Sequence, residues 1–274
     1  MIRAVTLNNN DGQGNATPDL HERVALLGLR QIDILCCQGV WRAGDDSEDE
    51  TRILAKSLRM NSSFFAASHT WKRKTKRKMH GVRGLAILTG TGIWPLNSGS
   101  IQGIDESDGS KGIVQFALVR TNGASILVLN LQLCGSRQLQ LLQLGALFSH
   151  PMLKERYGVV ILCGDRRTGL SAKELQTITK RSHYTSHSPP PCASSVGDGL
   201  LWILVAGKQP VASVTIHNQQ QSSSSLEFEI DRIAQDKNYK PYYLPLSLEE
   251  QWSRYKTNTK PSPPESIFGA IIQE

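Results

Sequence analysis

One carboxylate lies at the carboxyl end of an apolar run, a position where strands commonly present reactive groups. Residues 159–164 are apolar or small, and Asp165 follows them directly. Such a run predicts a buried strand with Asp165 at its tip. Arg166 and Arg167 come next, and they are unusual neighbours for an acid that would hold a cation. Either an arginine neutralises Asp165 in place of a metal ion, or both arginines face solvent.

A second candidate site is a run of positive charge between residues 72 and 78, which follows Trp71. The side chains that could contact a phosphate backbone are Lys72, Arg73, Lys74, Lys76, Arg77 and Lys78, together with Arg166 and Arg167. Lysine and arginine bind polyanions by displacing condensed counterions, and Trp71 could stack on a base. The alternative is a solvated loop or a short basic signal for transport machinery.

The histidines and cysteines form no recognisable metal or nucleophile set. His183 and His187 are four residues apart, but they lie in a serine- and proline-rich segment that predicts a loop over residues 183–197. The five cysteines are odd in number and lack the spacing of a zinc site. They predict reduced thiols in an intracellular, reducing compartment, cytoplasmic or mitochondrial. We expect no metal and no other cofactor.

The composition is typical of a soluble globular protein with polyanionic partners. The chain has 274 residues, of which 39% are hydrophobic, and a net charge of +7. This length can bury a sizeable core, and the positive charge favours nucleic acid. No apolar run approaches the ~20 residues that a membrane-spanning helix needs, so we expect no membrane partner.

Alternating strands and helices are predicted to position these side chains. Apolar runs predict strands at residues 2–8, 32–38, 64–67, 84–88, 113–119, 126–131, 159–165, 200–205, 211–216 and 244–248. Helical spacing predicts helices at residues 20–29, 45–60 and 138–148. A polar linker is expected at residues 219–225, and Trp94 is expected to anchor a loop. The pattern predicts an α/β sandwich of mixed sheets over residues 1–250 and a tail at 251–274.

Seven segments in this order resemble the endonuclease/exonuclease/phosphatase superfamily, which has the DNase I-like fold. The resemblance covers residues 2–248. Its segments are residues 6–8, 33–40, 84–88, 129–133, 162–167, 200–204 and 241–246. The resemblance implies a four-layer α/β sandwich with two mixed β-sheets.

The resemblance also implies a metal-dependent site, from which this chain departs at most chemical positions. Asn8 and Asp165 match the family. The departures are Gly39 for a metal-binding glutamate, Gln132 for a histidine that steadies the phosphate, Arg167 for an asparagine, Leu201 for an aspartate, and Tyr242 and Tyr243 for the terminal Asp–His pair. Hydrolysis of this kind needs a cation on carboxylates and a base near neutral pH, whereas tyrosine has an ordinary pKa of ~10. We therefore expect no enzymatic activity.

The sequence thus favours an inactive domain that survives as a binding or structural subunit. The charge and the basic run favour an assembly of RNA and protein subunits, such as an organellar ribosome or an RNA-processing complex. One alternative is a residual Mg²⁺-dependent nuclease or phosphodiesterase that uses Asn8 and Asp165. Another is a pseudoenzyme that regulates a protein partner.

Overall fold

The computed structural model describes the residues 2–8, 31–44, 49–72, 80–105, 111–121, 124–133, 136–154, 159–165, 177–178, 184–187, 199–206, 211–218 and 223–230. The chain divides into two compact units, residues 1–234 and 235–274. All described residues belong to the first unit. The helix predicted at residues 20–29, the strand predicted at residues 244–248 and the boundary predicted at residue 250 lie outside them.

Twelve strands are named in the described part of the chain. They are β1 (Ile2–Asn8), β2 (Ile34–Ala43), β3 (Ser62–Lys72), β4 (His80–Thr89), β5 (Trp94–Asp105), β6 (Lys111–Thr121), β7 (Ala124–Gln132), β8 (Val159–Asp165), β9 (Tyr184–His187), β10 (Gly199–Ala206), β11 (Val211–Asn218) and β12 (Ser223–Ile230). The described helices are α1 (Glu50–Ser57), α2 (Arg137–Ser149) and α3 (Pro151–Lys154).

The strands form two six-stranded mixed sheets, which confirms the predicted fold class. Sheet A has the order β11-β12-β1-β2-β4-β3, and sheet B has the order β5-β6-β7-β8-β10-β9. In sheet A, β1 and β2 are parallel, and in sheet B, β7 and β8 are parallel. The other pairings are antiparallel.

The main core lies between the two sheets. Alternate residues of a strand point to the same face, so each central strand contributes every second side chain to this core. Among them are Ala4, Ile34 and Cys36 from sheet A, and Val128 and Cys163 from sheet B.

Helices cover the outer faces of the sandwich. Leu54 of α1 is fully buried against Val5 and Leu35 of sheet A. On sheet B, Gly112 of β6 leaves room for Gln143 of α2, because a Cβ at Gly112 would lie only 2.9 Å from the Gln143 amide. The sandwich therefore has the four layers that the resemblance implies.

Several local predictions were wrong. Residues 184–187, predicted as loop, form β9 on the edge of sheet B, and residues 223–225, predicted as linker, begin β12. Residues 94–105 form a long edge strand that the sequence did not reveal, and Trp94 is 71% exposed rather than an anchor. The helix predicted at residues 45–60 is observed at Glu50–Ser57.

Helix α1 ends in a Schellman motif that places an arginine in the left-handed region. Met60 N donates to Ala55 O at 2.9 Å and Arg59 N donates to Lys56 O at 3.3 Å, while Arg59 has φ of 55°. Glycine adopts this conformation without the steric cost of a Cβ. We expect Arg59→Gly to raise the free energy of unfolding by about 0.5–1 kcal/mol in urea titrations. An unchanged or lower urea midpoint would show that the side chain contributes more than its backbone strain costs.

None of the described helices is both long and apolar enough to cross a bilayer.

Candidate binding cleft at one end of the sandwich

The strand ends that carry the predicted site residues converge at one end of the sandwich. In sheet A, Asn8 pairs with Gln38 where β1 ends, and Gly39 comes next on β2. In sheet B, Leu131 pairs with Gly164, so Gln132 and Asp165 end their strands side by side. The two ends face each other because Leu85, the register partner of Gln38, packs against Ile113, the partner of Gln132.

A buried network of amides joins the two sheets just below this end. Asn130 of β7 is fully buried, and its Nδ2 donates to Cys37 O at 2.9 Å and to Ala86 O at 3.0 Å, both in sheet A. Its Oδ1 accepts from Gln38 Nε2 at 2.7 Å. Thr6 Oγ1 lies 3.1 Å from the same Gln38 Nε2. These neutral groups lie just below the strand ends, and we call the region between the strand ends of the two sheets the cleft.

The amide network contains residues that sequence reasoning did not single out as functional. Thr6, Gln38, Gln115 and Asn130 are all buried polar residues in otherwise apolar strands. A buried amide without a partner is costly, so such a residue in an apolar run indicates a specific hydrogen-bond partner. That signal was readable for Asn130 within residues 126–131, but its partners in the other sheet were not.

Gly39 lies at a β-bulge beside the cleft. The register between β2 and β4 passes from Gln38↔Leu85 to Val40↔Gly84, which leaves Gly39 as the extra residue. Its φ is 69°, in the left-handed region where side chains are strained. The position therefore has a sharp backbone bend and no side-chain oxygen for a cation.

The first carboxylates after Gly39 that the structure describes are committed to the β2–α1 junction. Glu50 Oε2 accepts from Trp41 N at 2.8 Å. Asp49 Oδ1 caps α1 by accepting from Arg52 N at 3.1 Å, and its Oδ2 pairs with Arg42 Nε at 2.9 Å. Within the described part of the chain, no three His, Cys, Asp or Glu residues are grouped so that they could hold a metal ion.

Gln132 brings an unsatisfied acceptor to the cleft. It lies two residues beyond Asn130 on β7, so both side chains are on the strand face that looks towards sheet A. The Oε1 of Gln132 is buried and has no hydrogen-bond partner among the residues that the structure describes. A buried acceptor in this state costs about 1–3 kcal/mol, which a bound ligand with an N–H or O–H donor would recover.

Several solved structures are similar to this protein in architecture. The human Nocturnin catalytic domain with bound sulfate anion has a TM-score of 0.56 at 17% identity, over 83% of this chain and 93% of that one. An endonuclease/exonuclease/phosphatase from Beutenbergia cavernae has a TM-score of 0.59 at 12% identity, over 83% of this chain and 71% of that one. Humanized D. rerio TDP2 has a TM-score of 0.52 at 14% identity, over 82% and 98%.

The chain has the endonuclease/exonuclease/phosphatase fold. No family model matches the sequence, and no curated protein matches it. The likeness is therefore one of structure, at sequence identities that carry the fold but not the chemistry.

The endonuclease/exonuclease/phosphatase fold brings part of the predicted site together. The backbones of Asn8, Gly39, Gln132 and Asp165 meet at the cleft end, and Leu201 pairs with Cys163 two residues below Asp165. Other predicted site residues lie outside the described part of the chain: Arg166, Arg167, Tyr242, Tyr243, Arg73, Lys74, Lys76, Arg77 and Lys78.

The pairing of β3 with β4 relates the basic run to the cleft end. Gly81 of β4 pairs with Ala43, the last residue of β2, and Lys72 pairs with His80. Since β1 and β2 run towards the cleft end, β3 ends and β4 begins at that end of sheet A. Lys72, the last described residue before the rest of the basic run, therefore lies at the same end of sheet A as Asn8 and Gly39.

Proposed function

We propose that this protein is a catalytically inactive member of the fold that binds RNA within a larger assembly. The observation that carries the proposal is Gly39, whose bulged backbone takes the position where the resemblance requires a metal-binding glutamate. Divalent cations in phosphoryl-transfer sites are held through carboxylates and substrate phosphates. Glycine supplies no such ligand, and the nearby Asp49 and Glu50 already bind Arg42 and Trp41.

Gln132 supports binding rather than cleavage. An imidazole at this position could carry a positive charge against a phosphate, whereas an amide is neutral. Because its Oε1 has no partner, Gln132 is suited to a ligand that donates a hydrogen bond. Ribose hydroxyls and nucleobase N–H groups are such donors, and the 2′-hydroxyl distinguishes RNA from DNA.

Charge supports a polyanionic partner. The net charge is +7, and six of the seven residues from 72 to 78 are lysine or arginine. The first of them, Lys72, ends β3 at the cleft end of sheet A. Arg166 and Arg167 follow Asp165, the last residue of β8, directly in the sequence. The setting we propose is a ribonucleoprotein, such as an organellar ribosome or an RNA-processing complex, in which the chain also contacts protein subunits.

Neutralising part of the basic run tests the RNA contact. We expect the combined change Lys74→Gln, Lys76→Gln and Lys78→Gln to weaken binding of a single-stranded RNA about tenfold or more at low salt. The slope of log affinity against log salt should become less steep by about 2, because fewer counterions are released on binding when phosphate contacts are lost. Fluorescence anisotropy with a labelled oligonucleotide at several salt concentrations measures both quantities.

A matched control removes three positive charges elsewhere. Lys56, Arg59 and Arg120 are exposed and lie on α1, in the turn after it and on β6. Their combined change to glutamine should lower affinity only slightly, through net charge. Equal losses in the two triple variants would show that RNA is held by overall charge and not by the basic run.

Native size separates this proposal from a pseudoenzyme that regulates a protein partner. We expect the protein to elute from cell extract in a large particle that shrinks after RNase treatment. Elution at the monomer mass of 30.2 kDa under both conditions would refute a ribonucleoprotein role. A large complex that resists RNase would instead favour a protein partner.

The alternative is a residual Mg²⁺-dependent nuclease or phosphodiesterase. One observation favours it: the strands that end in Asn8 and Asp165 terminate at the same end of the sandwich, as the resemblance requires. Several similar structures are named as endonuclease/exonuclease/phosphatase proteins or as a phosphatase, including a mannosyl-6-phosphatase.

A further inference from the structure

Two cysteines meet in the core between the sheets. Cys36 lies on β2 of sheet A and Cys163 on β8 of sheet B, and both are fully buried free thiols. Both side chains belong to the core cluster between the sheets, where Cys163 is close enough to raise the pKa of Cys36. The register places Cys36 beside Thr6 and Cys163 beside Asn130, so both cysteines are neighbours of the amide network.

The surroundings keep these thiols unreactive while the sandwich is closed. Burial raises the pKa of the Cys36 thiol, and the neighbouring Cys163 raises it further. Disulfide exchange needs a thiolate and access for the oxidant, and neither is available in a closed apolar core. Reaction therefore requires a local opening of the two sheets.

We propose that Cys36 and Cys163 form a disulfide that joins the two sheets when a low-molecular-weight disulfide reaches them in an opened state. In the first step one cysteine thiolate attacks the small disulfide, which gives a mixed disulfide and releases one small thiol. The other cysteine then attacks the protein sulfur of the mixed disulfide and releases the second small thiol. The two cysteines are oxidised by two electrons, the small disulfide is reduced, and two protons pass to the released thiols.

The closed fold favours the internal disulfide over the mixed disulfide. A mixed disulfide adds a bulky polar group that a core packed by Ile34, Val128 and Ile161 has no room for. The internal disulfide adds no atoms and replaces a contact that already exists. Because the bond would connect residues far apart in sequence, it would restrict the unfolded chain strongly and stabilise the closed sandwich.

The test is oxidation of the purified protein by oxidised glutathione in urea just below the unfolding transition. We expect the intact mass of the oxidised protein to be lower by two hydrogen atoms. After proteolysis, we expect a disulfide-linked pair of peptides that contain residues 36 and 163. The urea midpoint of the oxidised protein should rise by on the order of 1 M and return after reduction.

Cys37 provides a matched control because it is adjacent to Cys36 and equally buried, yet faces α1 on the other side of sheet A. Cys37→Ala should leave the link intact, whereas Cys36→Ala should abolish it. The proposal is refuted if the wild-type protein forms no link, if the link contains Cys37, or if both variants lose it equally.

Discussion

Replacing Asn130 with leucine is expected to lower the free energy of unfolding by about 3–5 kcal/mol. The change removes the donor for Cys37 O and Ala86 O and the acceptor for Gln38 Nε2. Each buried group left without a partner costs about 1–3 kcal/mol, and the apolar gain of leucine offsets only part of the sum. Urea unfolding followed by circular dichroism measures the loss.

Gln132 is the natural control for Asn130, since it is an amide on the same face of the same strand. Its Oε1 has no partner to lose, so Gln132→Leu should leave stability unchanged or raise it by about 1 kcal/mol. We also expect Gln132→Leu to weaken RNA binding. Equal destabilisation by the two leucines would mean that the network does not join the sheets as described.

Asn130 and Gln132 differ in role, although both are amides on the same face of β7. Asn130 is satisfied by the protein itself, and so it belongs to the architecture of the amide network. Gln132 Oε1 has no partner among the described residues, and the cost of such an unpaired acceptor is retained where a ligand offsets it. A stability loss at the first position and a binding loss at the second would establish the cleft as a site for binding.

The central strands were predictable from sequence because burial on both faces leaves a strong signal. Residues 159–165 form β8 with the bounds that the apolar run predicts, and Asp165 ends it. Residues 113–119 and 126–131 likewise lie within the paired strands β6 and β7. The order of such strands, with polar residues at their ends, was sufficient to indicate the fold.

The edges were not predictable, because edge strands need little hydrophobic pattern. Strand β5 contains Pro95 and two glycines, and among the described strands it pairs with β6 alone, at the edge of sheet B. Proline and glycine are tolerated there because one side of an edge strand makes no ladder. The serine-rich start of β12 is a strand because β1 and β11 pair with it, which overrides a weak local preference.

The backbone conformation at Gly39 could not be predicted from the motifs. That Gly39 lacks a carboxylate is visible in the sequence, but its bulge and positive φ are not. A glutamate there would adopt a left-handed backbone at a cost of about 1–2 kcal/mol, which a site repays when the side chain holds a cation. With glycine the same bend carries no strain, so the bulge persists without the metal site.

The second large effect that we predict is a lack of hydrolytic activity, which would distinguish this protein from an active enzyme of the same fold. With Mg²⁺ or Mn²⁺, the wild-type protein should cleave neither bis(p-nitrophenyl) phosphate nor a single-stranded RNA above the rate in buffer. The physical reason is that water has a pKa of ~15.7 until a cation or base activates it. Gly39 and Gln132 supply neither a cation ligand of carboxylate type nor a titratable base.

Asp165→Ala provides the decisive comparison for that assay, because Asp165 is the acid that the alternative function requires. We expect it to match the wild-type protein in both reactions and in Mn²⁺ titrations by calorimetry. Metal-dependent cleavage by the wild-type protein that falls by about 10²-fold or more in Asp165→Ala would establish a residual phosphodiesterase and refute the inactive assignment. The same variant should still bind RNA, because the proposed contacts come from the basic run and from Gln132. An active site and a binding cleft at these strand ends therefore make opposite predictions for one substitution.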